Sequence, residues 1–443
     1  MKRVLGGFCF CLVLIGAGIP VLHAQQAARR LALQEAINLA LKQNLSVRVA
    51  SAQMEEAGGT AERRRAALLP HASADALLNR ENVDLAALGI SLPNVPTTVP
   101  AFTHFDMRGF ASQSVIDRRA YHNWKASQKQ QEAAKLDYQD ARDLVIRQAA
   151  GLYLDSQASA AEVAAAESRV TTSQTLEKLA HDQHAQGLAT AVDEVRAQVQ
   201  LARDQQTLLV ARDGYQTSLL ALARYLGISP GEPLELADSL SFRHGDTINV
   251  DAALQHALAS RSDYGALRKQ RDALNEQLKA EHARYYPTFS VNGDYGAIGR
   301  PFSAAGTGEV QGTVTVTLFD RDRTGEKIET QSQMKRLDAQ LDDLKRGIEE
   351  DVRKAMLDID STENQVTVTE SALHLADREL TLAQDRFRNG VTDNIEVITA
   401  QSALASAQDD RIMALARHAD ALMALARALG GTEKIYQRYL SEP

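Results

Sequence analysis

Apolar residues recur along this chain at two spacings, and each spacing occurs twice in the same order. The helical spacing comes first: LALQEAINLALKQN (Leu31 to Asn44) places Leu33, Ala36, Ile37, Ala40 and Leu41 on one face. A second helical run follows through Arg65 to Leu69 and stops at Pro70. Its counterpart is INVDAALQHALASRS (Ile248 to Ser262), continued by a helix reaching Pro287; Ala36 matches Ala253, Leu41 matches Leu258 and Pro70 matches Pro287 at one constant offset. After each proline the period changes to two. In TFSVNGDYG, Phe289, Val291, Gly293 and Tyr295 alternate with Ser290, Asn292 and Asp294, and in EVQGTVTVTLF, Val310, Val314, Val316 and Leu318 alternate with Gln311, Thr313, Thr315 and Thr317. That alternation predicts strands. The first half carries a weaker version: Ala72, Ala74, Ala76 and Leu78 against Ser73, Asp75 and Leu77, returning through Phe105, Met107 and Ala111 against Asp106, Arg108 and Ser112.

The helical spacing then returns at far greater length. From Arg119 to about Gln186 the pattern predicts a helix of about 65 residues, on the order of 100 Å at 1.5 Å per residue, with only Gly151 to weaken it. The corresponding run goes from about Gly325 to Asn389. Each ends in a polar turn and reverses: LAHDQHAQGLATAVDEVRAQVQLARDQQ (Leu179 to Gln206) lies over LAQDRFRNGVTDNIEVITAQSALASAQDD (Leu382 to Asp410) without a gap, so Gly187 matches Gly390 and Gln198 matches Gln401. Asn389-Gly390 supplies the left-handed backbone that ends one helix, and Thr392 or Asp393 caps the next. Beyond the second tip Leu415, Leu422 and Leu429 recur every seven residues, accompanied by Ile412, Ala419 and Ala426, which predicts helix-on-helix coiled-coil packing.

The offset between halves is longer before the strand hairpins than after them. VIDRR (Val115 to Arg119) already aligns with LFDRD (Leu318 to Asp322) at the shorter offset, so the first half's extra residues lie before Val115, in the loop ENVDLAALGISLPNVPTTVPAF (Glu81 to Phe102). The chain therefore divides into a signal peptide (1–24), a first structural repeat (25–227; strand hairpin about 71–116, helical hairpin about 119–227) and a connector (228–247). A second repeat (248–430; strand hairpin about 288–319, helical hairpin about 325–430) and a C-terminal tail (431–443) complete it. Neither half buries the faces of helices this long by itself, so this is an internal duplication and not two independent domains.

Composition supplies the address. Lys2 and Arg3, an apolar core and small residues near Ala24 predict a secretory signal peptide rather than a membrane anchor, because Gly6, Gly7, Gly16, Gly18 and Pro20 interrupt the apolar run. Cys9 and Cys11 both fall inside it and neither sits in a lipobox, so the exported chain has no thiol chemistry. Losing Lys2 and Arg3 takes the formal charge from -8 to about -10, which argues against a nucleic-acid partner. No later stretch is apolar for long enough to be a transmembrane helix. The exported chain is then either soluble or enters a membrane as a β-barrel. The predicted strands have the roughly 9 to 11 residues that cross a bilayer core when tilted; taken alone they also fit a half-buried hairpin of a soluble domain. Four strands cannot close around a pore when the smallest closed barrels use about eight, so a barrel requires several chains to pool their strands.

The duplicated ALLP/RYYP segment ends, the x-G-x5-[DE]-V-x2-A-Q tips and the L-x3-LG hairpin ends together resemble the TolC-like outer membrane efflux proteins, over essentially the whole mature chain. The resemblance implies a mainly α fold with a β-barrel part. Each chain would be a duplicated unit of short helices, β-hairpin and long coiled-coil helical hairpin. Three would form a trimeric 12-stranded outer-membrane β-barrel continued by a periplasmic α-helical barrel. It implies an exit duct of a tripartite efflux or type I secretion system in a Gram-negative-type outer membrane, without a cofactor. The partners would be a homotrimer, outer membrane lipid, a periplasmic adaptor (membrane fusion) protein and an inner-membrane pump of the resistance-nodulation-division, ABC or major facilitator type. In such channels the hairpin tips close the periplasmic end, with acids facing the pore. The residue six after each tip glycine is Asp193 or Glu396; three further on, where the family has another acid, stand Arg196 and Thr399. Adaptor docking would fall at Gly187, Leu188, Gly390 and Val391. Asp193 and Glu396 have a plainer reading as acids suited to a first helical turn.

Two rival classes are weighed against the duct. His181 and His184, three apart in HDQH, present two imidazoles for a metal, but no third ligand recurs and the second half has Gln384 and Phe387 there. No GxSxG, HExxH, P-loop or dinucleotide fingerprint stands where its mechanism requires, which leaves no catalytic residues to assign. A periplasmic coiled-coil structural protein explains the heptads and the duplication but not strand hairpins at the same point of both halves.

Overall fold

The computed structural model describes residues 29–90, 93, 96–245, 249–301, 303–434 and 436; the expected signal peptide and the end of the tail lie outside them. The first half runs β1 (Arg29–Leu31), α1 (Leu33–Gln43), α2 (Leu45–Ala66), β2 (His71–Asp84), β3 (Thr98–Ile116), α3 (Arg118–Ala185) and α4 (Ala191–Leu226). The second runs β4 (Leu234–Leu236), α5 (Val250–Ser260), α6 (Ser262–Ala283), β5 (Thr288–Arg300), β6 (Ser303–Thr315), α7 (Asp322–Arg388) and α8 (Asn394–Leu429). Helices α3 and α7, of 68 and 67 residues, set the length of the molecule at on the order of 100 Å. Among the described residues no helix is long and apolar enough to cross a membrane.

At one end of the long helices lies a four-stranded antiparallel sheet in the order β2-β3-β5-β6. Its register sorts the side chains by polarity, because cross-strand partners share a face. Ala76 pairs with Met107, Leu78 with Phe105, Phe289 with Val314 and Gly293 with Val310. The other face pairs Asp75 with Arg108, Ser112 with Asn292 and Asp294 with Glu309. One face is thus mainly apolar and the other mainly charged or polar, with Leu77, Phe110 and Ile298 the apolar residues on the polar side. Arg108 anchors that side, its guanidinium 2.6 Å from Asp106 and 3.2 Å from Asp294. The connection between β2 and β3 is the long one, whereas β5 turns into β6 at once.

The return strand of the second half is shorter than its alternation predicts. The last pair is Thr288 with Thr315, since β5 begins just after Pro287 and offers Val316 to Phe319 nothing to bond. Leu318 and Phe319 consequently stand 89% and 85% exposed, and α7 starts only at Asp322.

Midway along the helices sits the largest core. Strand β1 pairs in parallel with β4, bringing the first described strand against the connector. Ile37, Ile146, Tyr153, Leu222, Leu226 and Met423 are buried there together, each worth roughly 1.5–3 kcal/mol when removed from water. The Tyr153 hydroxyl donates to the Asp238 carboxylate at 2.8 Å and lies 2.9 Å from the Leu31 carbonyl, tying connector and N-terminal strand to α3. The heptad series Leu415, Leu422 and Leu429, with Ile412, Ala419 and Ala426, is buried along α8.

Candidate functional site

At the end away from the sheet, each long helix stops at a glycine that the backbone conformation demands. Gly187 and Gly390 have φ of 74° and 68°, and a side chain at either would meet open space, so it is the left-handed conformation and not crowding that selects glycine. The same two hydrogen bonds close both turns. The Gly187 N–H reaches His184 and the Leu188 N–H reaches Gln183, each at 2.9 Å; Gly390 and Val391 do the same to Phe387 and Arg386 at 3.0 Å. Leu188 and Val391 are left exposed at the two tips.

The returning helices are capped differently. Thr190 and Asp193 form a capping box: the Asp193 carboxylate accepts from the Thr190 N–H at 3.0 Å and from its hydroxyl at 2.6 Å. In the second tip Asp393, not Thr392, is the cap, accepting from the Ile395 N–H at 3.1 Å. The two acids singled out by position therefore have unlike surroundings. Asp193 is only 6% exposed, its carboxylate turned onto its own helix start, with Arg196 at 3.6 Å from the second oxygen. Glu396 is free of the cap and pairs instead across the turn with Arg386 at 2.9 Å. Thr399 turns its hydroxyl back onto the Ile395 carbonyl.

The first tip has its own cross-turn clasp. One carboxylate, Glu194, takes His181 Nδ1 at 2.9 Å on one oxygen and His184 Nδ1 at 2.6 Å on the other. Glu194 raises the His181 pKa, and the two imidazoles lower that of Glu194. The HDQH pair was visible in the sequence; its partner, ten and more residues on, was not.

The two tips are one site. Leu176, Ala180 and Ala197 from the first hairpin pack with Leu380, Phe387 and Val397 from the second. Two amides stitch across the contact: Asn394, fully buried, donates to the Asp193 carbonyl at 2.5 Å, and Gln183 donates to the Phe387 carbonyl at 3.3 Å. A buried amide carries a large penalty if unpaired, so these bonds fix how the hairpins sit against each other. Asn394, Gln183, Glu194 and Arg386 are the tip residues that repeat alignment does not find, because their counterparts (Ala191, Arg386, Val397 and Gln183) are of other types.

A family model described as "Outer membrane efflux protein" matches residues 36–228 and 253–431. No curated protein sequence matches the chain. Among solved structures, the Campylobacter jejuni CmeC outer membrane channel is 16% identical with a TM-score of 0.77, covering 92% of this chain and 89% of that one. The Vibrio cholerae outer membrane protein VceC is 19% identical with a TM-score of 0.75, covering 90% and 96%. The open-state Neisseria gonorrhoeae MtrE outer membrane channel is 18% identical with a TM-score of 0.75, covering 90% and 89%. At these identities the likeness is one of fold.

Proposed function

We propose that this chain, which belongs to the outer membrane efflux protein family, works as one third of a homotrimeric exit duct whose periplasmic mouth is the paired hairpin tips. The chain is an outer-membrane efflux channel with a long periplasmic helical part. The observation that carries the trimer is the sheet: four strands, two open edges, one apolar face and one charged face. Lipid cannot satisfy the unpaired backbone of β2 and β6, so the edges must meet other copies. Three copies give the twelve strands that the family resemblance implies, with Met107, Val310 and Val314 toward lipid and Asp75, Arg108 and Asp294 toward water.

The helices support the same closure. In the long periplasmic part α4 and α7 flank the pair α3–α8, and both keep large apolar side chains uncovered: Leu209 and Val210 on α4, and Val368, Leu375 and Leu382 at seven-residue spacing on α7. Such faces suit a neighbouring copy. The recurrence of helix, helix, strand, strand, helix, helix in both halves supports the internal duplication. The coiled-coil structural reading accounts for none of the sheet's polarity.

The duct takes cargo from an inner-membrane pump through a periplasmic adaptor, in efflux or in protein secretion. Gly187, Leu188, Gly390 and Val391, at the exposed extremity of the tips, are the adaptor's landing points. Asp193, Arg196, Glu396 and Thr399 form the gate, with Asp193 acting through the cap it completes and Glu396 through its bond to Arg386. The test is planar-bilayer conductance of the purified trimer beside Asp193→Ala/Glu396→Ala. A small conductance that rises in the double variant supports duct and gate. An unchanged conductance keeps the duct and discards the gate; failure of well-folded protein to insert discards the duct.

A further inference from the structure

Just above the tips, the first turns of α4 and α8 line a groove of about 530 Å³ beside the buried contact between the hairpins, against which Ile398 also packs. Its floor is Val192, Val195 and Val199 from α4 with Ile395 and Ile398 from α8. Four of these five are exposed, and all five are β-branched, so the floor is stiff before anything binds. Two cations border it, Arg196 and Arg203. The acids that would neutralise them are engaged elsewhere: Asp193 completes a cap, Glu194 holds the two histidines and Glu396 holds Arg386. Of the two, Arg196 has an acidic neighbour among the described residues, Asp193 at 3.6 Å. The second repeat has Thr399 and Ser406 at the positions of these arginines, so the positive edge belongs to one side of the groove alone.

On the reading of the tips as a channel mouth, we propose that this groove is a binding site for small anionic amphiphiles, molecules with a rigid hydrocarbon body and one carboxylate or sulfonate. The size decides for a small molecule against a protein helix. From Val192 to Arg203 the groove follows about three turns, roughly 16 Å, whereas a stable protein contact needs on the order of 800 Å² per partner. A volume of this order is what pockets for single drug-sized ligands have. The hydrocarbon would lie on the valines and isoleucines while the anion reaches a guanidinium, a charge-assisted bond that Arg203 is placed to give without breaking any existing pair. Cargo of this class would then be held at the entrance before it moves into the tunnel, and cationic amphiphiles would not.

The test uses the full-length mature trimer in nanodiscs and 8-anilinonaphthalene-1-sulfonate as probe, with empty nanodiscs subtracted. A saturable fluorescence component is expected, weakened at least tenfold by Arg196→Gln/Arg203→Gln and also by Val195→Asn, which leaves both arginines in place. Raising salt should weaken the wild type and leave the double Gln variant unaffected. Binding that is unchanged in Arg196→Gln/Arg203→Gln, or equal competition by a dodecyltrimethylammonium cation, overturns the proposal. Bilayer conductance of the same samples separates the two readings. Conductance with no saturable probe site removes the groove and keeps the channel; a saturable, arginine-dependent site in an inserted trimer that never conducts keeps the groove and removes the channel.

Discussion

Phe387 is the side chain on which the joining of the two tips most depends. It lies in the last turn of α7, is 3% exposed, and packs with Leu176, Ala180 and Ala197 of the other hairpin. Truncation to Ala deletes the ring from a contact that cannot collapse easily, because the flanking helices are held by Asn394 and Gln183. The usual cost is about 3–5 kcal/mol. That cost falls on the tip and not on the whole molecule, since the waist core around Tyr153 and Leu222 lies far along the same helices and shares no residue with this cluster. At about 1.4 kcal/mol per factor of ten, local opening should become about a hundredfold to several thousandfold more frequent. Hydrogen exchange of the trimer in nanodiscs reads this directly: amides over 176–200 and 380–401 should exchange faster, those over 145–154 and 219–226 should not. Conductance should rise in parallel. Acceleration of less than tenfold at the tips, or equal acceleration at the waist, would refute the idea that packing between hairpins is the latch.

Three further outcomes follow from particular side chains. The His181–His184–Glu194 clasp should be pH-dependent: a His whose pKa is raised from 6.5 stabilises fully below that value and loses the effect as pH rises through its folded pKa, while Glu194, lowered from 4.5, loses its part as pH falls below its own. Tip protection, taken relative to the intrinsic exchange rate at each pH, should therefore be greatest between about pH 4.5 and 6.5, and His181→Gln/His184→Gln should remove the pH response; an identical response in that variant would sink the claim. At the junction of helices and sheet, burial and the neighbouring Glu326 push Glu281 up to about 7 from 4.5, so the folded protein holds a proton that the unfolded chain releases. Junction stability should fall as pH rises from about 4.5 to about 7 and level above it, and Glu281→Gln should flatten the curve in thermal unfolding at pH 5 and pH 8. On the sheet, Val310→Arg should cost about 2–4 kcal/mol of insertion and reduce heat-modifiable trimer, while Gln311→Arg on the opposite face should insert normally; equal behaviour would show that the faces are misassigned.

What was legible in the sequence was what depends on neighbours along the chain. A positive φ can be read from Asn-Gly at 389–390, a strand from the alternation around Val291, and a coiled-coil seam from leucines seven apart, because each follows from one or two turns of backbone. The capping box was equally local: Thr190 and Asp193 stand at cap and third position, and that pattern already ties the acid to the helix start. What was not legible depends on distant chain. Val316 to Phe319 carry a strand pattern and form no strand, since β5 begins only at Thr288 and pairs no further than Thr315. Asp193 and Glu396 occupy matching positions and yet differ in exposure and partner, because one tip supplies a Thr cap and the other an Arg across the turn. Position in a repeat thus predicts where a side chain starts, while its neighbours decide what it does. For the tips the consequence is an asymmetry between hairpins: in the first, His181 pairs with Glu194 through an imidazole that loses its charge as pH rises, and in the second Glu396 pairs with an arginine that stays charged, so base should loosen the first tip and leave the second closed.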